Sequence, residues 1–138
     1  MKLCAVAGVD VRILTRNEHC PPHVHADGPD LNARFRCSFW NNDVALIDIT
    51  TKHGLRDARR IRTVREALAA PDMLLRARTM WWNSMRDLCL VHQCWDEAKC
   101  ALADARGMGV HRIVGASFDQ RRNCTTLQFI DDCLEIML

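Results

Sequence analysis

The spacing of apolar residues changes along this chain, from every second residue before Leu55 to every third or fourth residue after it. Residues 9–14 and 33–37 alternate apolar and polar side chains, residues 44–50 form a further apolar run, and Gly, Pro, Asn and Asp lie between these segments. Alternation of this kind is typical of strands with one buried face, and the polar segments are typical of turns. The first part of the chain is therefore expected to form an antiparallel β-meander.

A helical spacing begins after Leu55. Ile61, Val64 and Leu68 form a narrow apolar stripe, which predicts one amphipathic helix. Pro71 cannot continue that helix, but it suits the first turn of the next one. Apolar residues then recur at three- and four-residue steps through residues 71–88, so two consecutive helices are expected.

The rest of the chain is expected to form a third helix and more strands. The helix is predicted over residues 96–106, with Asp96 as its N-cap and Gly107 as its end. Its apolar face would carry Ala98, Leu102 and Ala105. Three short strands are expected at residues 110–118, 124–130 and 134–138.

These patterns predict an α+β fold, in which an antiparallel β-meander is followed by two helices, then by a third helix and a small antiparallel β-region. The 138 residues suffice for one ordinary domain or for two very small ones. The formal charge is +4 over residues 1–87 and −2 over residues 88–138. We therefore predict two units, at residues 1–88 and 89–138.

The eight cysteines are unevenly spaced and contain no C-x-x-C pair, which argues against a disulfide framework or a zinc ribbon. They are expected to act mostly as small buried hydrophobic residues, as cysteines do in a reducing compartment. The sequence has no apolar run of membrane-spanning length and no secretory leader, so a cytoplasmic protein is expected.

Residues 17–25 contain most of the candidate reactive side chains, with three of the six histidines around a Pro-Pro pair. His23 and His25 share one face of an extended segment, and His19 can fold back across the prolines. Glu18 or Cys20 could complete a site for a divalent metal such as zinc. The same histidines are candidate catalytic groups for metal-free acid/base chemistry, or they could be structural, bonded to carbonyls or packed against an aromatic ring.

A second candidate feature is a set of basic residues. Residues 52–65 contain six basic residues and one acid, Asp57. Such a patch can bind nucleic acid or an acidic partner, although arginines on a helix often only face solvent. The candidate binding residues, two on a strand and four along the first helix, are Arg34, Arg36, Arg56, Arg59, Arg60 and Arg62.

The motif N-E-H-C-P-P-H-V-H-A, followed by the Asn32–Phe35 type of strand and an arginine-rich helix, resembles the small bacterial family called domain of unknown function 4160, over about residues 1–87. The tail from Gly109 onward resembles domain of unknown function 2442, which is often encoded beside the first family. The family usually has Asp before the His of this motif, and Glu18 keeps that charge. The paired gene arrangement implies a toxin–antitoxin-like or regulatory module.

Three hypotheses follow from the sequence. The first is a binding or regulatory module of a toxin–antitoxin-like system that contacts a partner protein or nucleic acid. The second is a metal- or histidine-dependent nuclease that uses His19, His23 and His25, with Arg34 or Arg36 holding the phosphate. The third is a structural fusion, in which the tail covers an apolar edge of the first unit. The sequence leaves the oligomeric state open.

Overall fold

The structure, a computed structural model, describes residues 1–104 and 106–138. Its largest element is a five-stranded antiparallel sheet in which each strand pairs with the next one in sequence. The strands are β1 (Lys2–Val6), β2 (Val9–Arg12), β3 (His23–Asp27), β4 (Leu31–Cys37) and β5 (Val44–Thr51). The predicted β-meander is confirmed.

The two faces of this sheet differ, as the alternating sequence requires. Val24 and Phe35 lie opposite each other and are fully buried. The next residues along each strand point to the other face, where His25 is paired with Arg34. A register shift between Arg34 and Phe35 places Asp48 of β5 beside Arg34. The second face therefore carries a row of polar side chains.

The helical region is also confirmed. A 3-10 helix at Gly54–Asp57 leads into α1 (Ala58–Ala69), and α2 (Pro71–Met85) begins at the predicted proline. Val64 and Leu68 are the buried residues of α1, so its apolar stripe packs into the core as expected. The two helices pack against each other, with α1 against β5 and α2 against β4.

The C-terminal part consists of two three-stranded antiparallel sheets, in the orders β7-β6-β8 and β11-β10-β9. The first sheet contains β6 (Cys94–Asp96), β7 (Ala101–Ala103) and β8 (Val110–Arg112). The second contains β9 (Gly115–Asp119), β10 (Cys124–Gln128) and β11 (Cys133–Met137). The α+β class is confirmed, and the strand predicted over residues 110–118 is divided between the two sheets.

The third helix predicted over residues 96–106 is wrong. The Asp96 carboxylate accepts a hydrogen bond from the Lys99 backbone N–H at 3.1 Å, which closes a tight turn instead of capping a helix. Cys100 has a positive φ of 49°, which a continuing helix excludes. Ala105, expected on the same helix, lies outside the described residues.

The two parts of the chain meet around the loop that follows β4. Phe39 packs edge-on against Phe118 at 5.1 Å between ring centroids, and Trp40 packs against Trp95 at 5.9 Å. Residues from both parts belong to one buried apolar cluster. The division at residue 88 stays a prediction, but the two predicted units are in contact.

A disulfide also joins the two parts. Cys20, which follows His19, is bonded to Cys89, 69 residues later. The expectation that the cysteines act mostly as buried hydrophobic residues is wrong for this pair. It holds for Cys37 and Cys124, which are free and buried, but it is also wrong for Cys100 and Cys133, which are free and exposed. Among the described residues, no helix combines the length and the apolar character needed to cross a membrane.

A buried arginine fixes the loop that carries Phe39 and Trp40. The Arg78 side chain lies inside the core, where Nε donates to the Ser38 carbonyl at 2.8 Å and Nη2 donates to the Asn41 carbonyl at 2.8 Å. Burial lowers the pKa of Arg78 to about 10. The positive charge is thus held by carbonyl oxygens rather than by an ion pair with any carboxylate in the described chain.

We expect Arg78→Ala to lower the free energy of unfolding by about 3 kcal/mol, because the buried Ser38 carbonyl and the partly buried Asn41 carbonyl lose their donor and a cavity forms. Arg76→Ala is the matched control, since Arg76 lies on the same helix but is exposed. Its effect should stay within about 0.5 kcal/mol. Urea unfolding followed by circular dichroism measures both, and equal effects would refute this role of Arg78.

Candidate metal centre

One side-chain cluster is formed by a loop and a strand that the sheet brings together. Glu18 lies in the loop after β2, where Asn17 adopts a positive φ of 62°. His23 and His25 lie in β3, and their separation of two residues places both rings on one side of the strand. The sequence therefore predicts the histidine pair directly, and the loop adds the carboxylate.

Three potential ligand atoms converge in this cluster. The Nε2 atoms of His23 and His25 are 3.2 Å apart. Glu18 Oε2 lies 3.0 Å from the Nε2 of His23, and Glu18 Oε1 lies 3.2 Å from the Nε2 of His25. The side chains of Glu18 and His23 are only 1% exposed, whereas that of His25 is 18% exposed. The cluster is buried on one side and open beside His25.

The hydrogen bonds of His23 determine which of its nitrogens has a free lone pair. Nδ1 donates to the Pro21 carbonyl at 2.7 Å, and a carbonyl can only accept. Burial lowers the pKa of His23, which favours the neutral ring with a bare Nε2. This lone pair faces the carboxylate of Glu18. Two acceptors at that distance repel each other unless a proton or a cation lies between them.

The separations of the three atoms fit a transition-metal ion. Four ligands bound at 2.0–2.1 Å in a tetrahedron lie about 3.3 Å apart, close to the distances observed here. Two histidines and one carboxylate form a common catalytic zinc set, in which the fourth position is left to water or substrate. The same set also suits non-haem Fe(II). Glu18, His23 and His25 could hold such an ion with little rearrangement.

The surroundings hold the three side chains in place. The Pro21 carbonyl orients His23 as carbonyls orient metal-binding histidines, through the nitrogen that does not bind the ion. The Leu14 backbone N–H donates to Glu18 Oε1 at 2.8 Å. Trp81, buried on α2, packs against the His23 ring at 5.6 Å between centroids. The site is therefore ordered by contacts from the loop and from α2.

An open pocket of about 290 Å³ lies beside the cluster, and His25 forms part of its wall. Arg34 and Asp48 line the same pocket and are hydrogen-bonded to each other, with Arg34 Nε 3.0 Å from Asp48 Oδ1. This hydrogen bond lowers the pKa of Asp48 and raises that of Arg34. The open side of the cluster is therefore lined by the Arg34–Asp48 ion pair, and Asp27 adds a second carboxylate to the same pocket.

His19 is not one of the three convergent residues, although the sequence predicts it as the third member. Its Nε2 lies 3.3 Å from Nη1 of Arg34, which donates to it. Its ring centroid is 5.3 Å from that of His23. His19 thus lies between the cluster and Arg34. Cys20, the other candidate ligand, is bonded to Cys89.

The predicted arginines fall into two groups: those bonded to a carboxylate and those that are exposed without an ion pair in the described chain. Arg60 is half-buried and bonded to Asp30, to Asp57 and to the Ala7 carbonyl, so it serves the fold. Arg34 is bonded to Asp48 as described above. The remaining candidates are exposed and form no ion pair within residues 1–104 and 106–138: Arg36, Arg56, Arg59 and Arg62.

The sequence predicts neither Asp48 nor Trp81 as part of this site. Asp48 meets Arg34 only because of the register shift in β4 and β5, and no local pattern reveals that shift. Trp81 was expected on the buried face of its helix, but nothing in the sequence directs it to His23. The sequence did indicate Glu18, because its carboxylate lies directly before the histidine motif.

No family model matches this sequence, and comparison with curated proteins and with solved structures also returned no match.

Proposed function

We propose that the protein is a divalent-metal-dependent phosphodiesterase, a nuclease of small size, with Glu18, His23 and His25 as metal ligands. The observation that carries the proposal is the convergence of three ligand atoms within 4.8 Å of one another. Their burial beside an open pocket that is lined by Arg34 and Asp48 supports a catalytic site more than a purely structural one, because a structural zinc site is closed by four protein ligands.

Each residue near the cluster has a role in this proposal. An ion of the zinc class, held by Glu18, His23 and His25, would supply a Lewis acid for a phosphoryl oxygen and for water. Arg34 lines the same pocket and is bonded to Asp48. It could stabilise the negative charge of a phosphate that binds in the pocket if it donated to the phosphate as well as to Asp48. His19, whose Nε2 accepts from Arg34, could carry a proton once that nitrogen is released from Arg34.

Hydrolysis of bis(p-nitrophenyl) phosphate and of fluorescent single-stranded RNA and DNA tests this function. The protein should be stripped with a chelator and then loaded separately with Zn²⁺, Mn²⁺, Co²⁺ or Fe²⁺. We expect cleavage that depends on one of these ions and disappears again with chelator. Absence of hydrolysis with all four ions, in protein shown to bind them, would reject the phosphodiesterase proposal but leave the metal centre standing.

We expect Arg34→Gln to lower kcat/KM by about 100-fold while metal affinity stays the same, because the variant removes one charged donor to the reacting phosphate. Arg122→Gln is the matched control, since Arg122 is also paired with a carboxylate, that of Glu135, but in the C-terminal sheet. Steady-state kinetics and metal titration of both variants provide the measurement. Equal rates for the two variants would show that Arg34 does not contact the substrate.

A second proposed function is a binding or regulatory module of a toxin–antitoxin-like system, as the family resemblance implies. The observation that favours it is the set of exposed arginines along α1, among them Arg59 and Arg62. This proposal includes a cytoplasmic location, in which reductants would act on the Cys20–Cys89 bond. Purification from the host without added salt tests it, because a clean monomer free of protein and nucleic acid would contradict it.

A further inference from the structure

The last strand of the large sheet has an unusually apolar free edge. β5 is the edge strand, eight residues long, and within the described chain no other strand pairs with its outer side. Leu46, Ile47 and Ile49 are each 39–40% exposed. Its only charged residue, Asp48, is bonded to Arg34. Edge strands of stable monomers are usually short or carry free charges, which prevent pairing with another chain.

A groove runs between this edge and α1. Leu46 pairs in register with the buried Phe35, so its side chain points to the face on which α1 packs. The groove has a volume of about 440 Å³. Its walls are formed by one residue of β5 and five of α1: Leu46, Ala58, Ile61, Arg62, Arg65 and Glu66. Its floor is therefore apolar and its helical wall is largely basic.

The charge of the groove indicates the charge of the segment that would bind there. Arg62 and Arg65 line it, and Arg59 lies one helical turn away on the exposed surface. None of the three makes an ion pair with an acid among the residues that the structure describes. Glu66 is the one acid in the lining. The excess positive charge favours a segment that carries carboxylates.

We propose that this groove binds an extended acidic segment of a partner protein, which adds to β5 as a sixth strand. The inference rests on the second proposed function and names its partner. An added strand satisfies the outward backbone N–H and C=O groups of β5 and covers its apolar side chains. Alternate residues of the segment face α1, where apolar ones contact Leu46 and Ile61 and acidic ones contact Arg62 and Arg65. Nucleic acid satisfies the arginines but neither the backbone edge nor the apolar residues.

A short synthetic peptide in which threonine alternates with valine and glutamate is the probe. A peptide with lysine in place of glutamate and a fluorescent oligouridylate are the comparison ligands. Binding is measured by fluorescence anisotropy on the full chain, and hydrogen exchange of the β5 amides locates it. Two variants disrupt the site independently: Arg62→Glu with Arg65→Glu on the helix, and Ile47→Lys with Ile49→Lys on the strand. Arg121→Glu, in the exposed turn before β10, is the control.

We expect the acidic peptide to bind and to slow exchange of the β5 amides, and we expect the lysine peptide not to bind. Each double variant should weaken binding about tenfold or more, because the helix variant reverses two attractive charges and the strand variant places charges on the edge. Arg121→Glu should have no effect. Oligouridylate binding that depends on Arg62 and Arg65, without peptide binding, would overturn this inference but keep the binding module. If neither ligand binds, this inference and the binding-module proposal are both rejected.

Discussion

His25→Ala should lower the affinity for Zn²⁺ by a factor of about 100 to 1,000. Structural zinc sites with four protein ligands bind with about 10–16 kcal/mol, so one ligand is worth about 3–4 kcal/mol, and each 1.4 kcal/mol is about tenfold in affinity. His25 is the suitable ligand to change first because it is partly exposed, and its loss should leave the core intact. Glu18→Gln should have a similar effect, since it removes the only negative charge of the set.

His19→Ala is the matched control for the metal titration. His19 belongs to the same loop but is not among the three convergent residues. Its affinity for Zn²⁺ should remain within about threefold of the parent protein, as expected for a residue that makes no bond to the ion. Competition with a chromophoric chelator measures all four proteins. If the parent protein fails to bind, or if His19→Ala weakens binding as much as His25→Ala, the assignment of ligands is wrong.

Removing the disulfide with Cys20→Ser and Cys89→Ser should lower the free energy of unfolding by about 4 kcal/mol, from the entropy that a cross-link over such a long loop takes from the unfolded chain. A second effect is expected in the same variant. Cys20 lies two residues after Glu18, so the loop that carries the carboxylate loses its covalent tie to the C-terminal part. Zinc affinity should therefore fall together with stability.

Urea unfolding of the oxidised parent protein, the reduced parent protein and the double variant measures this effect. Reduction of the parent protein should reproduce the variant, because both remove the same cross-link. Cys100→Ser with Cys133→Ser serves as the control, since both of these cysteines are free and exposed. Identical midpoints for oxidised and reduced parent protein would show that the cross-link does not stabilise the fold.

The β-meander and the first two helices could be predicted because their signal is local. Alternation along β4 and the stripe of Val64 and Leu68 each define which face is buried. Neither pattern depends on residues that are distant in the sequence. The helix predicted after Asp96 was wrong for the opposite reason. Its helical spacing and its expected N-cap are weak local signals, and pairing of β6 with both β7 and β8 determines its structure.

The site was predicted only in part. The two-residue separation of His23 and His25 predicts a shared face, and the structure shows it. Glu18 and His19 are neighbours in sequence, so the conformation of the loop decides which of them joins the histidines. The partner of Cys20 could not be predicted either, because eight cysteines allow many pairings and the bond spans half of the chain.

The contact between Trp81 and His23 also gives the protein a built-in optical reporter. The chain contains four tryptophans and no tyrosine, so its near-ultraviolet emission comes from indole rings alone. Trp81 is the one that touches the cluster, whereas Trp40 and Trp95 report on the junction between the two parts of the chain. A bound Cu²⁺ or Co²⁺ ion would quench the emission of Trp81 at this range. Occupancy of the centre can therefore be followed in an unlabelled sample, as the part of the tryptophan emission that the ion quenches.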